Sequence, residues 1–168
     1  MKSYRLLEQQ KSTVEEVLKE LDLETPGTPW ASKTNVLAAN YVRHLTEVYK
    51  DNWSKGLLPK ELFFEILLPK HQHSLEDEGS IFPLDTPISK VLDFYKDSDS
   101  KYAKECMDAI VHLKEKILKE GFTTTIILAV INDTLKHVDG LHRTLALVLA
   151  MQEGYEYTPI PVYLCNAS

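Results

Sequence analysis

From Thr123 to Gly154 the chain reads TTTIILAVINDTLKHVDGLHRTLALVLAMQEG, and few folds accommodate that order. The run TTTIILAVIN (123–132) is apolar, β-branched and of strand length, so it predicts a strand. Asn132 and Asp133 supply a tight turn, and residues 135–138 predict a short returning strand. Gly140 then opens a helix expected over about 142–153 and capped by Gly154. YTPIPVYLC (157–165) predicts a last strand, whose prolines suit an edge position. A hairpin that feeds a helix and is followed by another strand requires a mixed sheet with helices packed on it.

Upstream, residues 100–120 carry the clearest helical stripe, with Ala103, Cys106, Met107, Ile110, Leu113 and Ile117 on one face. Lys116 and Lys119 suit its last turns, and Gly121 stands where an αL cap belongs. Helical spacing also begins at about Ser89. ELFFEILLP (61–69) reads as a buried strand closed by a proline, and HQHSLEDEGSIFPLDTP (71–87) as a loop. The first 58 residues read as helical. Leu6, Leu7, Val14, Val17, Leu18 and Leu21 recur at helical spacing, Ser12 and Glu15 have capping-box spacing, and LETPGTP (23–29) ends the segment. A second helix is expected over 32–52 with Val36, Leu37, Tyr41, Leu45, Val48 and Tyr49 inward, before GLLP (56–59) breaks the chain. The fold class is therefore α/β (mixed α+β): a helical N-terminal extension over 1–58, and over 59–168 a small mixed sheet with flanking helices.

The bulk numbers exclude several classes. With 43% apolar and 26% charged residues, the 168-residue chain can bury a core as one globular protein. No apolar run approaches the roughly 20 residues of a membrane helix. MKSYRLLEQQKSTVEE lacks a signal peptide's apolar core, so a cytoplasmic location is expected. Cys106 and Cys165 are too few for a disulfide framework and read as small core hydrophobes. A net charge of −6 argues against nucleic acid as a partner, because phosphate neutralisation supplies most of that affinity.

The chemistry lies in VDGLHRTLAL (138–147). A strand that turns sharply into a helix presents unpaired backbone N–H groups, where the macrodipole also favours negative charge. Gly140 permits an unusual backbone angle and close approach of a ligand, and Leu141 offers its amide. His142 and Arg143 add donors, Arg143 as a fork suited to phosphate, and Thr144 adds a hydroxyl. Asp139 can orient an acceptor hydroxyl, ligate a divalent ion, or simply bond its own backbone in the turn.

From Leu113 to Leu164 the order LKEKILKEGF, TTTIILAVIN, LKHVDGLHRTLALVLAMQEG, TPIPVYL resembles the core of the ParB/sulfiredoxin superfamily. The likeness covers about 50 residues, or about 100 if ELFFEILLP is that family's first strand. The resemblance implies a ParB/sulfiredoxin-like sheet in which Gly140, His142, Arg143 and Thr144 face a nucleotide's phosphates. Sulfiredoxins place a catalytic cysteine directly before the His-Arg pair. Leu141 stands there, so sulfinic-acid reduction is not expected. ParB partition proteins carry a glutamate and paired arginines at this turn and a helix-turn-helix domain after it, for which a chain ending at Ser168 is expected to have no room. The D-G-x-H-R form is closer to the branch that includes free serine kinases.

That likeness implies ATP or ADP (with CTP possible), Mg²⁺ and a small-molecule acceptor. In the superfamily the chain leaving the first strand lines the site, and the serine kinases use a glutamate there as base. This sequence lacks an obvious Thr-Glu at that place and offers His71, His73, Glu76 and Asp77 instead. His73 and Glu76 are the candidate catalytic groups beside Asp139, His142 and Arg143. His71 and Asp139 are the candidate metal ligands; in H-x-H, His71 and His73 would point the same way on a strand. Each of these loop residues also fits a solvated polar loop. Trp30, Tyr41, Tyr49 and Trp53 either cover the site or pack the N-terminal helices on the sheet. The sequence thus points to a small-molecule kinase, with a ParB-like nucleotide-binding or nuclease-like module on DNA or a protein as the alternative.

Overall fold

The computed structural model describes residues 2–21, 31–69 and 81–166, of which 31–35 by their backbone alone. Its elements run β1 (Leu7–Lys11), α1 (Val14–Leu21), α2 (Ala31–Tyr49), β2 (Trp53–Leu58), α3 (Lys60–Phe63), β3 (Leu67–Leu68), β4 (Thr86–Pro87), α4 (Ile88–Asp97), α5 (Lys101–Glu120), β5 (Ile126–Ile131), β6 (Thr134–Asp139), α6 (Leu141–Gln152) and β7 (Ile160–Asn166). The strands form one mixed sheet in the order β1-β2-β7-β5-β6-β3-β4. The mixed α/β class expected from the sequence is what the chain adopts.

The sheet is covered on both faces, as alternation along its strands requires. Ile126, Leu128 and Val130 of β5 join the larger core with residues of α4, α5 and α6. Ile127 and Ala129 face the other way, into a smaller core with Trp53, Cys165, Val17 and Leu21 of α1, and Ala38, Val42 and Leu45 of α2. No helix among the described residues is long and apolar enough to cross a membrane.

Several expectations are corrected. Residues 1–58 are not wholly helical: β1 and β2 lie in the sheet, and β2 pairs antiparallel with β7 from Trp53↔Cys165 to Leu58↔Ile160. β1 crosses β2 so closely at Gly56 that a Cβ there would stand 2.7 Å from the Leu7 carbonyl oxygen. Only glycine fits beneath that crossing. The first helix is capped by Thr13, whose Oγ1 accepts from the Glu16 amide, one residue after the expected cap. In α2 the buried residues are Ala38, Val42 and Leu45, whereas Val36, Leu37, Tyr41 and Val48 are exposed.

ELFFEILLP is a helical turn followed by a two-residue strand, because Phe63, Ile66 and Leu68 are buried while Phe64 faces solvent. β7 is interior, between β2 and β5, rather than an edge. Pro161 is tolerated because pairing with β5 starts only at Val162, so at Pro161 β7 has a neighbour on one side. The stripe of α5, the β5–β6 hairpin and α6 match the sequence reading, whereas Gly121 ends α5 at φ 79° and ψ 179°, an extended left-hand conformation rather than the αL cap expected of it. Asn132 and Asp133 both take positive φ in the hairpin turn, as the two-residue turn demands.

Candidate functional site

The strand directions bring several chain ends to one edge of the sheet. β6 ends there at Asp139, and β3, parallel to it through Leu67↔Lys136, ends beside it at Leu68. β5 and β7 both begin at that edge, since β5 is antiparallel to β6 and parallel to β7. Open α/β sheets place ligands at the carboxyl ends of such strands. Residues 70–80, which follow β3, lie outside the described residues, and with them the candidates His71, His73, Glu76 and Asp77. Trp30 also lies outside them.

Gly140 joins β6 to α6 in the left-handed conformation, φ 95° and ψ 32°. Among the described residues no side chain caps this helix, and no acidic residue stands in its first turn. The first amide with an intrahelical partner is that of Thr144, which donates to the Gly140 carbonyl at 2.9 Å. The amides of Leu141, His142 and Arg143 precede it, at the positive end of the helix dipole. A Cβ on Gly140 would lie 2.8 Å from Ile126 Cγ2 and 3.1 Å from Arg143 Nη2. The glycine is thus required both by its backbone angle and by β5 pressing against it.

Arg143 folds back over this turn. Its Nη1 donates to the Thr125 carbonyl at 3.1 Å, and its Nη2 lies 3.3 Å from Asp139 Oδ2. Both side chains are largely withdrawn from water, at 13% and 6% exposure. Asp139 therefore compensates the Arg143 charge, while the Thr125 carbonyl ties the side chain to the residue just before β5. These two contacts leave part of the five-donor guanidinium fork unused.

Beneath the turn, Thr144 is fully buried and its Oγ1 donates to the Gly140 carbonyl at 2.7 Å. The hydroxyl expected to face a phosphate is turned inward instead. His137 Nε2 lies 3.3 Å from the same Oγ1. A hydroxyl whose proton goes to the carbonyl can only accept from the ring, so His137 carries its proton on Nε2. Burial pushes His137 down to about 3 from its ordinary value, against the bonding to the Gly140 carbonyl, which raises it. Burial and the nearby Arg143 charge push His142 down to about 4, although the residue keeps some solvent contact. Both imidazoles are neutral at pH 7, so the turn offers dipoles and one compensated cation.

Asp139, Gly140, Leu141, His142, Arg143 and Thr144 are all brought together. The partners that sequence reasoning missed are Thr125 and Ile126. Counting back from the Asn132–Asp133 turn brings them only to the neighbourhood of Asp139 and Gly140, because a bulge between Ile127 and Leu128 shifts the register and sets Ile127 opposite Asp139. Among the described residues no three His, Cys, Asp or Glu side chains are arranged to hold a metal ion. Asp139, engaged by Arg143, does not by itself fit a Mg²⁺ site. Cys106 and Cys165 are buried, and burial pushes their thiols up to about 12 and about 11. They are core residues. Tyr41 is exposed, and Trp53 is buried between the sheet and α2. No family model, no curated protein and no solved structure matches the chain.

Proposed function

We propose that the protein binds a nucleotide with its phosphates over the β6–α6 turn and uses it to phosphorylate a small hydroxylated metabolite. The observation that carries the reading is the helix start itself. α6 follows a left-handed glycine without a side-chain cap or an acidic first turn, at the edge where β3 and β6 both end. The amides of Leu141 and Arg143 would receive phosphate oxygens there. Arg143 would add charge, and neutral His142 a hydrogen bond. Gly140 holds the turn open, while Asp139, Thr144 and His137 act from behind it. The resemblance of VDGLHR to the free serine kinase turn supports the choice of reaction. The net charge of −6 weighs against the alternative of a DNA-bound module.

Calorimetric and thermal-shift titration with ATP, ADP, CTP and GTP, with and without Mg²⁺, tests this on the wild type and Arg143→Ala. A ligand that binds only the folded state raises its stability by about 2.7 kcal/mol at a hundredfold excess over Kd. Stabilisation by one nucleotide that is lost in Arg143→Ala is the expected result. No response to any nucleotide would sink the proposal.

A further inference from the structure

We propose that Asp139 and the Thr125 carbonyl form a latch that holds Arg143 closed until a polyphosphate pulls it open; this rests on the reading of the β6–α6 turn as a phosphate site. Two contacts and one close approach define the latch. Arg143 Nη1 bonds the Thr125 carbonyl at 3.1 Å, Nη2 meets Asp139 Oδ2 at 3.3 Å, and Nη2 stands 3.1 Å from where a Gly140 Cβ would be. The guanidinium therefore occupies part of the space that the glycine leaves free, and its charge is cancelled by a carboxylate from the same turn. An arriving anion meets a neutral surface, with a buried carboxylate behind it. To gain Arg143 it must outcompete Asp139, whose carboxylate then loses its partner while still largely buried.

That competition makes the site selective. A monophosphate gains one ion pair and forfeits another, whereas a di- or triphosphate also engages the helix amides with its remaining charge. The latch thus lowers the affinity for inorganic phosphate more than that for a polyphosphate chain. It also fixes Arg143 in the ligand-free turn, which it joins to Asp139 at the end of β6 and to Thr125 just before β5.

The test uses tripolyphosphate and inorganic phosphate as probes, titrated into the full chain at low salt, for the wild type, Asp139→Asn and Arg143→Ala. Asparagine keeps the shape and an acceptor for Arg143 but removes the competing charge. Tighter tripolyphosphate binding by Asp139→Asn, on the order of tenfold, is expected. The ratio of tripolyphosphate to phosphate affinity should also fall, and Arg143→Ala should lose binding. A second readout follows the Arg143 guanidinium ¹⁵N signals in the wild type, which should shift and lose exchange protection as tripolyphosphate is added. Binding lost in Arg143→Ala but unchanged or weakened in Asp139→Asn, with static guanidinium signals, would overturn the latch and leave the phosphate site standing. Absence of tripolyphosphate binding in both the wild type and Asp139→Asn would overturn both.

Discussion

The helices α6 and α2 are both rich in apolar residues, and the molecule uses them in opposite ways. In α6 the consecutive residues Thr144 to Val148 are all buried, so the helix is enclosed on several sides by the sheet, α4 and α5. In α2 the buried line is narrow, Ala38, Val42 and Leu45, while Val36, Leu37, Tyr41 and Val48 stay in solvent. One helix is held on most of its surface and the other by one edge. Apolar content does not decide which. The difference comes from position: α6 leaves the sheet edge straight into the larger core, whereas α2 lies over the smaller core as an outer layer. The candidate site stands at the start of the first kind of helix, whose burial anchors the turn from behind.

The contrast is tested most strongly by truncation within α6. Leu147 is fully buried, and Leu147→Ala should cost about 2–5 kcal/mol in urea unfolding. A loss below about 1 kcal/mol would mean that α6 is not enclosed as described. Next comes the turn that starts this helix. Gly140→Ala forces a side chain to φ 95° and into Ile126 Cγ2 at 2.8 Å, so about 1–3 kcal/mol should be lost. Arg143 would also be displaced, so nucleotide binding should weaken beyond what the lost stability explains. Wild-type stability in Gly140→Ala would refute the close contact with β5.

The buried imidazole behind the turn gives the next effect. The folded value for His137, about 3, lies below its ordinary 6.5, so the unfolded chain binds a proton between those limits that the folded chain cannot. Its contribution is complete above pH 6.5 and is lost as the pH falls, by about 1.4 kcal/mol per unit. At pH 5 that is roughly 2 kcal/mol, with a further contribution of the same sign from His142, whose value falls to about 4. Unfolding midpoints measured from pH 7.5 to 5 should therefore decline, and the decline should be shallower in His137→Gln. An equal slope in both proteins would mean that His137 titrates freely.

What could be read in advance followed the same division. The α5 stripe, the strand 126–131, the Asn-Asp hairpin and the glycine before α6 each carry local signals that agree with their surroundings. β1 and β2 were hidden because LEQQK and WSKGLL lack strand chemistry, and their pairing with each other and with β7 imposes the conformation. ELFFEILLP misled through its β-prone composition, although Phe63 and Ile66 stand at helical spacing. In the turn, the glycine and the Arg143–Asp139 pair were legible as residue types, but the Thr125 carbonyl is backbone, and its bond to Arg143 depends on hairpin register.

The smallest effect falls on the exposed flank of α2. Leu37 is 65% exposed, so Leu37→Ser removes little buried area and should change stability by no more than about 0.5 kcal/mol. Serine lowers helix propensity slightly, which sets the sign as a small loss. Leu45→Ser, two turns on and fully buried on the inner line of the same helix, should cost several times more, because it both empties core volume and buries a hydroxyl. The pair measures how one-sided α2 is, with helix and side-chain chemistry held constant. Equal losses at the two positions would mean that Leu37 is covered in solution, and α2 would then be held on two sides, as α6 is.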